Sequence, residues 1–374
     1  MPDPPCRRSL MDHFSTVGDP REGWRVMYPL RELLLLVLSA TLAGMEDFVE
    51  IKLWGEERLD FLRRFYPYER GIPSHDTLND LVNALDPETF KACFSAWVAG
   101  LRDAEPDQIA VDGKTSRRSH DRSKARAPLH TVSAWACRQR LVLGQEAVEE
   151  KSNEIIAIPQ LLKRLELNGA LVTIDAMGTQ TKIADTIVRG GGDYLLALKE
   201  NRPLLYADVE AFFADPAARA CEHFETIDAD HGRIEQRRHL VHHHVDWLFS
   251  DRRYADEPCF PHLAMIGMVQ SNTERNGKIE QDRRYYLCSK PLSAEAFARA
   301  VRAHWGVENR LHWVLDVIFH EDLARLRSGQ GPQNMAIVRH IAINLLRNPK
   351  DRHSLKSRRK LACLNPDYLE SLLR

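Results

Sequence analysis

Paired cysteine is missing from this 374-residue chain: Cys6, Cys93, Cys137, Cys221, Cys259, Cys288 and Cys363 are odd in number, scattered and never spaced as C-x-x-C. That pattern argues against a zinc ribbon and for reduced thiols in a cytosolic protein. Long apolar runs are missing too. The most apolar stretch, Leu33 to Gly44, is about a dozen residues, too short for a bilayer that needs about 20, and reads as a core helix. No signal-peptide pattern opens the sequence, so the expected location is cytoplasmic, with no membrane partner. Nor is there an excess of charge of one sign. A net charge of -1 at pH 7 does not mark a nucleic-acid binder, so any such role must come from local charge. What is present is a 44% hydrophobic composition, enough for a real core in one large domain with additions or in two to three smaller ones.

Positive charge is concentrated in two runs. Residues 113–126 hold Lys114, Arg117, Arg118, Arg122, Lys124 and Arg126 against Asp121 alone. Residues 339–360 hold Arg339, Arg347, Lys350, Arg352, Lys356, Arg358, Arg359 and Lys360 against Asp351. Charge runs are ordinarily solvated surface. The first run, however, directly follows a candidate acid, and there a track for phosphates competes with the ordinary reading.

The stretch from Ala303 to Asp322, AHWGVENRLHWVLDVIFHED, reads as the middle and end of a helix entered through AEAFARAV, with no proline between Ser293 and Gly331. At about 100° per residue, Phe297, Val301, His304, Leu311, His312 and Leu315 fall within roughly 60° of Glu308, which places this carboxylate in the stripe expected to face the core. A carboxylate there needs a cation, a donor or a metal. It is either a buried glutamate paired with His or Arg, or a metal-binding acid with carboxylate partners elsewhere. Two such partners end short apolar runs: Asp112 in QIAVDGK and Asp175 in ALVTIDAMGTQ. Each reads as an aspartate delivered at the end of a buried strand, although an Asp there is often only a turn or cap residue. Together with a helical Glu they form a more specific set. Gathered carboxylates repel unless divalent cations neutralise them, and hard oxygen ligands suit two Mg²⁺ or Mn²⁺ ions, as two-metal phosphoryl transfer requires.

With these acids in place, the chain resembles the ISAs1 group of the IS4-like DDE transposases, which includes the H-repeat-associated proteins. The resemblance rests on DPREGWRVMYPLRELLLLVLSATLAG, GIPSHDTLNDLV, VDGKTSRRS, HTVSAW, TIDAMGTQ, YLLALKENRPLL, HGRIEQR and HWGVENRLHWVLDVIFHED, and covers nearly the whole chain. It implies a DDE triad of Asp112, Asp175 and Glu308, which is both the catalytic and the metal-binding set. The superfamily's Tyr, Arg and Lys around its last acid are replaced here by Val301, His304 and Leu315.

The expected fold class is α/β, an RNase H-like catalytic core with a β-rich insertion, preceded by a small all-helical N-terminal domain. Residues 1–104 are expected to hold the helical domain: a helix from Pro29 to Gly44, another from Phe48 to Arg64, and a third in PSHDTLNDLVNAL capped by Pro73, Ser74 and Asp76. Its role is either binding of element ends or support for the core. Residues 105–348 are expected to form the catalytic domain. Strands in QIAVDGK, HTVSAWACRQ and LVLGQEAV, a helix over 155–167, the strand ending at Asp175, a helix from Thr179 to Arg189 and the strand DYLLALK follow in RNase H-like order. A β-rich insertion spans about 205–290, and 349–374 is expected to be a basic tail.

Further DNA-contact candidates are Lys114, Arg117, Arg118, Lys199, Arg233, His304, Arg310 and His312. For Lys199, Arg233 and Arg310 the alternative is an ordinary surface cation. For His304 and His312 it is core packing or a hydrogen bond to Glu308. His239 and His242 to His244 are too poorly spaced for a zinc site, since adjacent strand residues point to opposite faces. The expected function is an insertion-sequence transposase that cuts at terminal inverted repeats and transfers the strand to target DNA. Its partners are double-stranded DNA, both ends and target, and a second copy on DNA, in the bacterial cytoplasm and at the nucleoid. A silent DNA-binding relic and a host nuclease on the same fold are the alternatives, which flanking inverted repeats would disfavour.

Overall fold

The structure, a computed structural model, describes residues 9–120, 127–148, 154–215, 221–230, 233–249, 259–275 and 278–374. Arg122, Lys124 and Arg126 of the first basic run lie outside the described residues. In chain order come helices α1 (Leu10–Phe14), α2 (Leu30–Ala43), α3 (Phe48–Glu57), α4 (Leu59–Leu62), α5 (His75–Ala84) and α6 (Pro87–Leu101), then strands β1 (Gln108–Thr115), β2 (His130–Ala136) and β3 (Leu141–Val148). Next follow α7 (Glu154–Leu162), β4 (Leu171–Ile174), α8 (Thr181–Arg189), β5 (Asp193–Leu198), α9 (Pro203–Ala214), β6 (Glu222–Asp230), β7 (Arg233–His242), β8 (Met265–Arg275) and β9 (Lys278–Cys288). The chain closes with α10 (Ala294–His304), a π-helical segment (Val307–His312), α11 (Trp313–Val317), α12 (Gly331–Arg347), α13 (Leu355–Leu364) and α14 (Pro366–Leu373). The architecture is mixed α/β with a helical N-terminal region. Among the described residues no helix is long and apolar enough to cross a membrane.

By compactness the chain separates into two units, 1–104 with 113–151 and 308–374, and 105–112 with 152–307. The division at 104 coincides with the expected one, but 113–151 and 308–374 join the N-terminal region instead of the expected 105–348 domain. The reason lies in α2, whose residues from Leu33 to Ala43 are all buried. A helix apolar all round must be covered on every side, and α2 is packed by α1, α3, α12, α13 and α14, so N- and C-terminal helices share one core. The glycine that ends it, Gly44, takes φ 106°, the left-handed conformation that closes a helix without a Cβ penalty. Ser74 caps α5 as expected, accepting from the Thr77 amide at 3.2 Å. The helix expected from Phe48 to Arg64 is instead broken at Arg58, which leaves helical geometry at φ -117° and ψ 21°.

Helix α12 is the other organiser of the first unit, and it works through side-chain amides. Asn344 donates to the carbonyl of Val142 and accepts from its amide, both at 2.9 Å, acting as a strand partner for β3 where the β2–β3 register shifts. Asn334 donates to the carbonyls of Val82 at 2.9 Å and Leu85 at 3.0 Å, satisfying the orphan groups at the end of α5.

Several cations of the basic runs are absorbed into this unit. Lys114, mostly buried, places its ammonium 2.7 Å from Asp316, 3.1 Å from Glu321 and 3.4 Å from Asp322. The buried Glu321 also meets Arg339 at 3.5 Å. Burial alone would raise the Glu321 carboxyl, but Lys114 and Arg339 outweigh it and hold it below the usual range. The expected basic tail folds as α13 and α14. Arg358 is buried on the carbonyls of Leu346, Pro349 and Asp351, and Arg359 on those of Thr41 and Ile318, with its guanidinium 4.3 Å from the Phe319 ring centre. A cation at the carbonyl end of α2 is also where the helix dipole favours it.

The second unit is built on seven strands in the order β1-β4-β5-β9-β8-β7-β6. β1, β4 and β5 run parallel; β9, β8, β7 and β6 form an antiparallel meander that joins β5 through β9. The expected β-rich insertion therefore begins with α9 and then extends the same sheet. Helix α10 lays Phe297 and Ala300 on a core of Leu195, Val241, Met265 and Tyr286. Gly267 faces Phe297 closely enough that any side chain there would collide with the ring.

Two outcomes are expected from the first unit. Lys114→Met leaves the buried Glu321 short of a counter-ion and should cost about 3–5 kcal/mol of stability in urea unfolding, as breaking a buried pair does. Because the folded-state Glu321 carboxyl lies below its ordinary 4.5, its contribution is present above pH 4.5 and is lost as pH falls through the lower folded value; in Lys114→Met that acid loss should begin at higher pH. Asn344→Leu, which strands both backbone groups of Val142, should cost about 2–4 kcal/mol by the same measurement.

Candidate active site

Two of the three expected acids follow strands that pair with each other. In the parallel pair β1–β4, Gln108 lies opposite Leu171 and Val111 opposite Ile174. Asp112, which lies within β1, and Asp175, the first residue past β4, each follow the last of these pairs. The local cause is apolar: Ile109, Ala110, Val111, Val172 and Ile174 are all buried, as strands covered on both faces require.

The Asp175 carboxylate is held by its own turn. Its Oδ1 accepts from the amides of Met177 at 3.1 Å and Gly178 at 3.3 Å. A Cβ at Gly178 would collide with Ile174, so the turn depends on that glycine. Asp175 is exposed. Burial raises this carboxyl above the usual carboxylate range; the Gly178 amide opposes it, Glu154 adds to it, and the Met177 amide and Lys199 pull it down. Asp112 is half-buried.

Residues not singled out in the sequence hold the loop that follows Asp175. Asn201 donates to the carbonyl of Ala176 at 2.7 Å, Arg202 donates to the carbonyl of Thr179 at 3.3 Å and to the side chain of Gln180, and the Thr179 hydroxyl donates to the Ala197 carbonyl on β5. The available signal was their position directly after the strand-end Lys199, in LKENR.

Upstream on the same strands, the Gln108 amide donates to Thr173 Oγ1 at 3.3 Å and to the Ala300 carbonyl at 2.8 Å, and Thr173 Oγ1 lies 2.9 Å from His304 Nδ1. His304 is thus a packed connector of α10 to β4, pushed down to about 4 by burial and neutral at pH 7. His312, in the first unit, is likewise pushed down to about 4 by burial, with Lys114 adding to the effect. Neither imidazole supplies a positive charge near neutrality, which favours the core-packing alternative for both.

Glu308 departs from its expected setting. It is exposed rather than core-facing, because the helix does not continue in α-helical phase. Val307 to His312 is π-helical, and its wider turn lets Val307 and Leu311, both 0% exposed, take the inward positions while the carboxylate stays hydrated. Glu308 belongs to the first unit, whereas Asp112 and Asp175 belong to the second. Among the described residues no group of three or more His, Cys, Asp or Glu is gathered so as to hold a metal ion.

The remaining candidates are placed as follows. Lys114 is enclosed by the three carboxylates of the first unit. Arg117 is exposed and pairs with Asp322 at 3.3 Å, and Arg118 is exposed. Arg310 is exposed, its carbonyl taken by Arg347. Lys199 is exposed at the end of β5, near enough to Asp175 to lower its carboxyl. Arg233 opens β7, and its side chain lies outside the described residues. His239 is buried 3.3 Å from the Phe224 carbonyl and His243 Nε2 lies 3.0 Å from that of Leu292, so these histidines are used in packing the meander.

Comparison with known proteins bears on the family of the chain. Residues 79–345 match the family described as Transposase DDE domain, and residues 11–98 match the region described as DDE_Tnp_1-associated. "H repeat-associated putative transposase YhhI" of Escherichia coli K12 is 38% identical over 370 residues, covering 98% of each chain. An uncharacterised protein in the dhlA 3′ region of Xanthobacter autotrophicus is 41% identical over 280 residues, covering 74% of this chain and 92% of that one. A cryo-EM structure of the piggyBac transposase synaptic complex with hairpin DNA covers 97% of this chain and 80% of that one, at TM-score 0.46 and 10% identity, too distant to bear on the site. On the match over residues 79–345 and on a relative that aligns from end to end, the chain belongs to the DDE transposase family.

Proposed function

We propose that this protein is an insertion-sequence transposase of the ISAs1 group, with an RNase H-like core, that cuts phosphodiesters at the element's ends and joins the freed 3′-hydroxyl to target DNA. The observation that carries this reading is the β1–β4 register, which puts Asp112 in β1 and Asp175 just past β4, each one residue beyond the last pair, in a chain of the DDE family. Glu308, exposed on a π-helical segment, is the third acid of the proposal. The π-turn supports a functional role for it, since such turns recur at functional sites.

The residues present fit a hard divalent cation. Two carboxylates follow the paired residues of β1 and β4, and burial, with Glu154 adding to it, raises the Asp175 carboxyl. Asp112, Asp175 and Glu308 would hold Mg²⁺ or Mn²⁺, which would neutralise charge on the attacking and leaving oxygens. The chain's own part is orientation. Met177 and Gly178 fix the Asp175 carboxylate, Asn201 and Arg202 fix the loop behind it, and exposed Lys199, Arg117, Arg118 and Arg310 supply positive charge for the DNA backbone. In the first step a water oxygen bonds to phosphorus, the bond to the 3′-oxygen breaks, and that oxygen leaves as the 3′-hydroxyl. In the second step this hydroxyl attacks a target phosphorus and expels a target 3′-oxygen. Two ends must be joined in one event, so a homodimer on DNA belongs to the proposal.

Asp175→Asn and Asp112→Asn should each lower Mg²⁺-dependent nicking of a duplex carrying the element's ends by at least about 10³-fold, a loss of roughly 4 kcal/mol of transition-state stabilisation, while gel-shift binding of the same duplex stays near wild type. Full-rate cutting by either variant would remove that residue from the site. Glu308→Gln should behave the same way; retention of nicking would return Glu308 to the surface and leave the two aspartates alone.

A further inference from the structure

The outer end of the β6–β9 meander shows apolar surface on one side. Ile227, Ile234 and Ile279 are 68%, 52% and 67% exposed, and the register puts all three on the same face. Ile279 of β9 lies opposite Glu274 of β8, which lies opposite Ile234 of β7, while Ile227 of β6 lies opposite Gln236, two residues along from Ile234. The other face is already used, since Val241, Val269 and Tyr286 pack against Phe297 of α10. On the isoleucine face, α9 covers the inner end, where Phe213 stacks on Tyr285. Between that covered end and the outermost row lie two more rows. One is a row of side-chain amides, Gln281, Asn272 and Gln236; the next holds Arg283, Gln270 and Arg238, with Arg238 3.7 Å from Glu225 on β6.

Single exposed isoleucines are ordinary, but three on one sheet face form a patch of the kind that marks an interaction surface. The charges select its partner. Glu225 and Glu274 balance Arg238 and Arg283, so a phosphate backbone laid here would meet two carboxylates and draw nothing from the isoleucines. A second copy of the same face is complementary to it. A two-fold axis across the strands at the amide row sets the outermost row of one copy over the arginine row of the other, with the sheets aligned as in a sandwich. Ile279 and Ile234 then lie on the aliphatic stems of Arg283 and Arg238, whose charged heads flank Glu274. Ile227 meets Ile227 of the second copy. The area sets the strength of the contact. Four strands about 4.8 Å apart and three rows about 6.8 Å apart give about 400 Å² per copy. The total of roughly 800 Å² is below the roughly 1,200 Å² at which stable complexes begin. Such a contact closes between copies already held near each other, where effective concentration makes up for area.

We propose that the outer face of β6–β9 carrying Ile227, Ile234 and Ile279 is where a second copy of this chain docks when two DNA ends are brought together. This rests on the homodimer on DNA of the proposed function and gives that dimer a surface.

The test is native-gel separation of single-end from paired-end complexes of the full chain on a duplex carrying the element's ends, with melting temperatures of each protein. Ile234→Ser combined with Ile279→Ser, Glu274→Arg alone and Arg283→Glu alone should each lower the paired-end complex at least about 10-fold, with single-end binding and melting temperature as in wild type. Glu274→Arg combined with Arg283→Glu should restore it, because opposite charges again meet across the contact. An undiminished paired-end complex in the isoleucine variant, or a double charge variant no better than the single ones, overturns this surface and leaves the dimer standing. Loss of single-end binding in the isoleucine variant makes the face a DNA contact and likewise overturns it. If wild type forms no paired-end complex, the dimer of the proposed function falls and this inference with it.

Discussion

The parallel pairing of β1 with β4 is the constraint on which the second unit depends. Its register, Val111 opposite Ile174, determines at once which side chains are buried and where each strand delivers its aspartate. A slip of one residue would turn the apolar set outward. The register is held by more than the ladder. Gln108 bonds to Thr173 and to the Ala300 carbonyl, and Thr173 in turn meets His304, so a polar chain crosses β1, β4 and α10 within the second unit. Such a buried network is specific because every slipped alternative would leave its members unpaired.

The first unit solves a different problem, the burial of charge in a chain of nearly zero net charge. Lys114 among Asp316, Glu321 and Asp322, Lys91 with Glu146 and Glu88, and Arg358 and Arg359 on backbone carbonyls each satisfy an interior cation with oxygens drawn from distant parts of the chain. The consequence for function is subtractive. Part of the positive charge that looked available for a phosphate backbone is committed to the fold. Arg117, Arg118, Lys199 and Arg310 are exposed and serve the proposed DNA contacts, while Lys350, Arg352, Lys356 and Lys360 of the second run are exposed as well.

The elements of the fold were legible wherever a local pattern sufficed. The apolar run of α2, the β-branched approaches to Asp112 and Asp175, and the alternating strands of the meander carry their own periodicity, and each forms where that periodicity places it. Glu308 was misplaced for a local reason that periodicity does not carry. The phase of an α-helix was continued through Val307–His312, where the chain widens to a π-turn, and nothing in the spacing of Val307 and Leu311 distinguishes the two. Asn201 and Arg202 were unread because polar residues at element ends look like caps and turns until their partners are known.

The sequence by itself therefore determined the strands, the core helix and, through its motifs, the family. Tertiary structure alone decided that the terminal helices share one core, that the expected basic tail is two packed helices, and that Lys114 is enclosed by carboxylates. The division has a physical reason. Burial of apolar surface is written in the spacing of neighbouring residues, whereas the pairing of charge joins positions such as Lys114 and Glu321, or Thr41 and Arg359, whose distance along the chain leaves no periodic trace.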